Sequence, residues 1–267
     1  MSHSPSHALV LAGSRGPTDP VAKAMGLPHK ALVPVLGVPM LLRVVRNLLA
    51  GGQIQHITLC LDQALNDHGL GAELNALIAD GSVEIAEPQA SPSASVAHLV
   101  DRWQARPDIW PLLITTADHP LLTPAMIEHF THETPADTDF ALALATASTI
   151  KRDYPDAIRT FYRFSGEGYS GCNLFMLCRP EARAFIVFWQ KMERHRKRPW
   201  RLVASIGPLF LIRFLLRRLT IEAALNHLST RIGARAKAVI IPFAEAAIDV
   251  DKPSDLTLAE AILKTRS

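Results

Sequence analysis

The sequence predicts an α/β fold with a mainly parallel sheet, and three observations predict it. Apolar runs recur at strand length, helical spacings fill the gaps between them, and several runs end in glycine, serine or aspartate. Strands alternating with helices imply crossover connections and a sheet covered by helices. In such a sheet the ligand lies beyond the carboxyl ends of the strands, so the residues that follow each run are the first candidates for chemistry.

The first run, Ala8-Leu9-Val10-Leu11-Ala12, reads as a buried parallel strand that delivers the chain into Gly13-Ser14-Arg15-Gly16. From Pro39 to Leu49 the apolar residues have helical spacing, and Gly51-Gly52 is a natural stop. His56 to Leu61 is a second strand, Glu73 to Ile78 is helical, and Val83 to Ala86 is a third strand. A helix from Ser95 to Trp103 is entered through the small-residue stretch Ser91 to Ser95. Pro111 to Thr116 is a fourth strand and runs directly into Ala117-Asp118-His119-Pro120.

After Asp139 the pattern changes. Phe140 to Ala145 reads as a strand, and Arg159 to Phe164 alternates like a solvent-edged one. Gly166 to Gly171 reads as a loop, followed by the apolar Leu174 to Leu177. Pro180 to Lys197 and Gly207 to Leu228 read as helices. The strand Ala238 to Ile241, the aspartate-rich Ile248 to Leu256 and a helix to Ile262 close the chain. With no repeat and no linker, residues 1–267 read as a single domain with a helical, basic and apolar elaboration at about 180–230.

Composition narrows the function classes. With 48% hydrophobic and 20% charged residues, the chain is neither a disordered tail nor a fibre. No run approaches the ~20 apolar residues of a transmembrane helix. Three cysteines (Cys60, Cys172, Cys178) without paired spacing argue against a disulfide scaffold or a cysteine zinc site. The first residues lack the charged start and apolar run of a secretion signal, so a reducing, cytoplasmic setting is expected.

From Lys191 to Arg218 nine basic residues face one acid, Glu193. Such a block serves an anionic partner or is a solvated helix face. Nucleic acid is disfavoured, because the block lacks the interleaved aromatics of a single-strand platform. Residues 207–218 would form a helix apolar nearly all round with cationic points. The preferred reading is a core helix whose basic edge holds a phosphorylated substrate or a second subunit. The alternative is peripheral contact with the inner face of a membrane.

Backbone N–H groups in a loop after a strand can surround phosphate oxygens, and glycine lets the loop fold closely. Leu11, Ala12, Gly13, Ser14 and Arg15 form such a loop, and Lys30 follows at the head of Lys30-Ala31-Leu32-Val33-Pro34-Val35-Leu36-Gly37-Val38-Pro39-Met40-Leu41. Arg15 and Lys30 would set positive charge against a triphosphate as charge moves onto leaving pyrophosphate. Neither the Rossmann nor the Walker glycine spacing is present.

Together these residues resemble the MobA-like nucleotidyltransferases. Members begin with a pattern close to Leu-Ala-Gly-Gly-x-x-x-Arg-Met-Gly, then a lysine and a Leu-x-x-x-x-Gly-x-Pro-Leu-Leu tail; Leu11 to Gly13 and Lys30 to Leu41 match. Here Ser14 replaces the second glycine and Pro17 to Ala22 lengthens the loop. Thr115 to Leu122 is similar to the family's strand-end Asp-x-Pro-Leu signature, and Ile248 to Leu256 to its closing Asp-x-Asp-x-Pro-x-Asp-Leu.

The resemblance implies a GT-A-type, Rossmann-like domain of three α/β/α layers. It implies transfer of a nucleoside monophosphate from an NTP, CTP or GTP, to a phosphorylated small-molecule or lipid-precursor acceptor, with Mg²⁺ and release of pyrophosphate. Asp118 with Asp249 or Asp251 would hold the metal, and helix capping is the competing role for Asp118 and the preferred one for Asp255. Alternation along a strand would put Asp249 and Asp251 on one side. Ser93 and Ser95 match the base and ribose region, while Gly171 and Asn173 lie in the segment beside the acceptor. A phosphorylated acceptor is already nucleophilic, so neither His29 nor His119 is assigned as a base. Two alternatives stand: a GT-A-type glycosyltransferase using a nucleotide sugar, and a non-catalytic nucleotide-binding protein at a membrane surface. The glycine loop and Lys30 favour nucleotidyl transfer, since glycosyl transfer needs no pyrophosphate site.

Overall fold

The first strand, β1 (His7–Leu11), shows how the chain builds layers. Its side chains alternate across the strand, Ala8 and Val10 entering one core and Leu9 another. The computed structural model describes residues 4–13, 18–62, 65, 70–195 and 207–266. Next come a short helix α1 (Pro20–Ala24), strands β2 (Pro34–Val35) and β3 (Val38–Pro39), helix α2 (Met40–Ala50) and strand β4 (His56–Cys60). The alternation continues with α3 (Ala72–Ala79), β5 (Val83–Ala86), α4 (Pro92–Trp103), β6 (Leu112–Thr116) and α5 (Pro124–Glu133). The second half holds β7 (Phe140–Thr146), α6 (Ala147–Asp153), β8 (Tyr162–Arg163), β9 (Gly168–Leu177) and α7 (Arg183–His195). Then α8 (Pro208–Leu215), α9 (Ile221–Ile232), β10 (Ala236–Ile240) and α10 (Pro253–Arg266) complete it.

Among the described residues the main sheet has eight strands in the order β10-β7-β9-β6-β1-β4-β5, with β8 beside β9. All pairings are parallel except those of β9, which runs against β6, β7 and β8. One face packs on α2, α3 and α5 through Val44, Leu48, Leu74, Met126 and Phe130. The other packs on α4 and α7 through Val96, Leu99, Trp103 and Ile186. Each fully buried aliphatic side chain here contributes about 1.5–3 kcal/mol of transfer free energy. The result is the expected α/β fold, a mostly parallel mixed sheet flanked by helices. No described helix is long and apolar enough to cross a membrane.

Several local expectations are corrected. The stretch read as a loop to Gly171 is strand from Gly168 onward, because Tyr169 pairs with Thr146 on one side and Tyr162 on the other. The edge strand expected over 159–164 shrinks to two residues, since only Tyr162 and Arg163 face that partner. The expected helix at 180 opens with a 3-10 turn, Pro180–Ala182, and is α-helical over α7; Arg196 and Lys197 lie outside the described residues.

The single helix expected over 207–228 is two helices. Arg217 takes a left-handed φ of 55°, the Arg218 N–H bonds back to the Arg213 carbonyl, and the Arg217 N–H bonds to Phe214. This closing turn satisfies the last carbonyls of α8. Thr220 then starts α9 by accepting from the Ala223 N–H. Nor is α8 a core helix: none of its residues is fully buried, and Leu209 and Leu215 are each 68% exposed.

Candidate functional site

The strand ends do what a parallel sheet requires of them. Beyond β1 the Ala12 N–H bonds to the Cys60 carbonyl, and beyond β6 the Ala117 N–H bonds to the Leu11 carbonyl. Asp118 is thereby fixed two residues past the end of β6. Its own carbonyl accepts from the Val250 N–H at 2.9 Å, which sets Asp249 and Asp251 on either side of that bond. Residues 248–252 are not a strand, so alternation is not what brings the two aspartates near Asp118. Asp118, Asp249 and Asp251 each offer an oxygen, and these lie within 4.8 Å of one another.

Lys30 reaches this cluster from a 3-10 turn, Lys30–Leu32, which the His29 ring caps: Nδ1 accepts from the Ala31 N–H at 2.9 Å. The turn is held in place by the hairpin that follows. Leu36 and Gly37 have φ of 48° and 77°, the paired positive values of a two-residue hairpin turn, and β2 pairs with β3. Pro39 then opens α2. The Lys-to-Leu motif is therefore one mechanical unit, a turn, a hairpin and a helix start that aim one ammonium group. Lys30 Nζ donates to Asp118 Oδ2 and to Asp251 Oδ1, each at 2.7 Å.

Arg159 does the same for the third carboxylate. It donates to Asp249 Oδ1 at 2.6 Å and to Asp255 Oδ1 at 2.9 Å, and its side chain is only 8% exposed. Asn173 sits in β9 with a left-handed φ of 48°, beside an irregularity in the pairing with β7, and donates to Asp249 Oδ2 at 3.0 Å. Asparagine tolerates that backbone better than most residues. Asp255 lies inside the first turn of α10 rather than before it, and its Oδ2 reaches back to accept from the N–H groups of Asp251 and Lys252 that lead into the helix. The helix-capping role for Asp118 is not what is found, since Thr123 caps α5.

Charge explains the cluster's chemistry. Four carboxylates, Asp118, Asp249, Asp251 and Asp255, meet two cations, Lys30 and Arg159, leaving a formal −2. Burial, together with the charges of Asp118 and Asp251, pushes the Asp249 carboxyl above the usual carboxylate range despite Arg159. Burial works against the Lys30 ammonium, but Asp118 and Asp251 outweigh it and hold the group above the usual lysine range. Oxygen-only ligands carrying a net double negative charge suit a hard divalent cation.

The other expected residues divide. Leu11 ends β1, Ala12 is buried and Gly13 is exposed beside them, while Ser14 and Arg15 lie outside the described residues. Ser93 and Ser95 are not in an entry stretch but inside the first turn of α4, which Ser91 caps. Both are buried: Ser95 Oγ accepts from Gln89 N, and Ser93 donates to Glu193 of α7. Gly171 is exposed in β9, and Asn173 has its amide nitrogen on Asp249. His29 and His119 are buried, and burial lowers both rings below the usual histidine range, His119 to about 4. Arg159 is the site residue that the motifs do not contain, and Thr116, within the Thr115 to Leu122 segment but assigned no role from sequence, donates to Asp118 Oδ1. For Arg159 the only signal was a lone cation two residues before the Phe161-Tyr162 pair.

The family model for the MobA-like NTP transferase domain matches residues 8–199. A hypothetical transferase from Thermus thermophilus superposes with a TM-score of 0.75 at 23% identity, covering 94% of this chain and 99% of that one. A CMP:2-keto-3-deoxy-manno-octonic acid synthetase complexed with CTP gives a TM-score of 0.55 at 12% identity, with both chains covered fully, 100% each. A 4-diphosphocytidyl-2C-methyl-D-erythritol synthase from Anaerococcus prevotii gives 0.58 at 11%, covering 97% of this chain and 95% of that one. These structures share the fold. No curated protein sequence matches.

Proposed function

The chain belongs to the MobA-like NTP transferase family and is a nucleotidyltransferase, and on that premise we propose that it moves a nucleoside monophosphate from CTP or GTP onto a phosphorylated small-molecule or lipid-precursor acceptor, with Mg²⁺. The observation that carries this reading is the meeting of Lys30 with Asp118 and Asp251 of a three-carboxylate cluster at the carboxyl edge of the sheet. In the transfer an acceptor phosphate oxygen forms a bond to the α-phosphorus. The bond from that phosphorus to the bridging oxygen breaks, and its electron pair leaves with pyrophosphate.

The residues divide the work. Lys30 holds its ammonium where oxygens of the triphosphate would compete with Asp118 and Asp251 for it, so its charge meets the charge growing on pyrophosphate. Arg15 and the Gly13-Ser14 backbone are assigned to the same phosphates on sequence alone. Asp118, Asp249 and Asp251 would hold Mg²⁺, which when bound neutralises phosphate charge and orients the oxygens. Arg159 and Asn173 keep both oxygens of Asp249 in place for that task. Ser93 and Ser95 would serve the nucleoside side once Glu193 releases Ser93, and Gly171 with Asn173 borders the acceptor side.

Thermal unfolding against ATP, GTP, CTP and UTP, each with and without Mg²⁺, tests the reading. A ligand at 100 times its dissociation constant adds about 2.7 kcal/mol to the folded state, a readable melting shift. The expected result is a shift for CTP or GTP that Mg²⁺ enlarges and Asp118→Asn abolishes. Shifts indifferent to Mg²⁺ and to Asp118, or confined to nucleotide sugars, would overturn it.

A further inference from the structure

A cavity of about 400 Å³ lies on the second half of the chain, with Lys151 at α6, Arg163 in β8 and Arg217 after α8 among its walls. Glu167 is the acid that faces them, and its oxygens are already met by Ser148 Oγ and the Gly168 N–H. Among the described residues none of the three cations has an ion pair; Lys151 lies over the Phe161 ring at 5.8 Å. Glu167 offsets one of the three positive charges, and a further anion in the cavity would offset the rest.

Beside this cavity stands α8. Its inner face is tied to the body by Phe214 against Phe164, a wall of the cavity, and by Phe210 against His227. Its outer face carries Leu209, Ile212, Leu215 and Leu216, exposed by 68%, 53%, 68% and 59%. Their spacing of three, three and one residues makes a single stripe. Arg213, Arg217 and Arg218 border it, and no acid occurs from Gly207 to Ile221.

We propose that α8 and the cavity at its C-terminal end are one docking site for an anionic lipid surface. The aliphatic stripe enters the interface, the arginines meet the headgroup charge, and the cavity takes a lipid phosphate between Lys151, Arg163 and Arg217. Apolar area next to basic charge is the combination that binds such surfaces. A second copy of the chain is a poorer occupant, since a two-fold contact would set the same arginines against each other. Strand β9 links the cavity to the carboxylate site: Gly168 is a wall of the cavity, and Asn173, five residues along the strand, bonds to Asp249. Five strand residues span about 17 Å. A membrane-borne phosphate acceptor is the substrate class this implies, and that part rests on the transferase reading.

Flotation of the full chain with phosphatidylcholine vesicles, with and without roughly one-third phosphatidylglycerol, tests the docking at low and high salt. The expected result is binding to the anionic vesicles alone, lost in high salt. Ile212→Glu with Leu215→Glu should abolish it at an unchanged melting temperature. Arg213→Gln should weaken it about fivefold, since one basic charge near such a surface is worth about 1 kcal/mol. No binding to anionic vesicles, or full binding by the double variant, overturns the proposal. So does a dimer in sedimentation that the double variant loses, or inorganic phosphate binding without vesicle binding. If vesicles bind while no NTP shifts the melting of the wild-type protein, docking stands and the transferase reading fails.

Discussion

The carboxylate site and the α8 region handle charge in opposite ways. At the first, Lys30 and Arg159 each touch two carboxylates, and Asp249 and Asp255 have both oxygens engaged. At the second, Lys151, Arg163 and Arg217 gather around a single acid, Glu167, and none of them has a described ion pair, next to aliphatic side chains that face outward. A closed network keeps atoms in position, as transfer at phosphorus demands. An open one leaves its charges available to something that arrives. The two regions are joined by β9 and by the segment from Arg159 to Arg163, so the rigid part can serve as the frame of the receptive part.

The comparison breaks first at Arg159, if the closure is less tight than it looks. Arg159→Met leaves Asp249 and Asp255 facing one another without their shared cation. Removing one partner of a buried pair costs about 3–5 kcal/mol, because the remaining charge is uncompensated. Urea unfolding should show a loss of that size, partly restored by millimolar Mg²⁺. A loss below about 1 kcal/mol would put the pair in the class of solvated surface bridges.

Lys30→Ala comes next. On the proposed mechanism the side chain sits where charge develops, so the expected loss is about 10²–10³ in rate, or about 2.7–4 kcal/mol of transition-state stabilisation. Pyrophosphate release with the donor that shifts melting is the readout. An unchanged rate would remove Lys30 from the chemistry and leave it only a brace between Asp118 and Asp251.

Why these two residues were not equally legible is a matter of range. Lys30 stands at the head of a segment whose turn chemistry is local: Leu36-Gly37 makes the hairpin and Pro39 the helix start. Asp118 is legible because a strand end is where a parallel sheet exposes its ligands. Arg159 acts across 90 and 96 positions, and nothing near it in sequence names Asp249 or Asp255. The break after α8 was hidden for another reason. A glycine normally marks that left-handed position, and here Arg217 occupies it, so the apolar-basic pattern ran on unpunctuated into α9. Gly168 to Gly171 misled in the reverse direction: glycine-rich sequence suggested a loop, and pairing on both sides made it strand.

Closure in the first half extends to a neutral group at the other end of β1. His7 packs on Trp103, and its Nε2 lies 2.8 Å from Thr58 Oγ1, whose one proton goes to Glu84. The histidine therefore donates, and the ring needs no charge to be satisfied. Burial, against the pull of Glu84, lowers its pKa to about 4 from the ordinary 6.5. Between those values the unfolded chain binds the proton and the folded chain does not, so the contribution of His7 is complete above pH 6.5 and is lost as pH drops toward 4. At about 1.36 kcal/mol per pKa unit the loss reaches about 3 kcal/mol at the acid end. His7→Gln keeps a donor and should shrink the acid loss by that amount in unfolding measured from pH 7 to 4, leaving the share of His29 and His119. An equal slope in both proteins would assign the acid loss to other groups.

The smallest effect belongs to the open region, and its sign is what sharpens the contrast. Arg163→Gln removes a cation that has no described ion pair or hydrogen bond and shares a cavity with two others. Substitutions at such positions usually stay within about 0.5 kcal/mol. Here the relief of repulsion should place the change on the stabilising side, and raised salt should shrink the gain because the charges are screened. Loss of a cation in the closed region is expected to have the opposite sign, as argued for Arg159→Met, so one measurement at two positions separates a cation that holds the fold from one that waits for a ligand. A loss above about 1.5 kcal/mol on Arg163→Gln, insensitive to salt, would mean that the cavity is as fully paired as the carboxylate site, and the distinction between the two regions would fall with it.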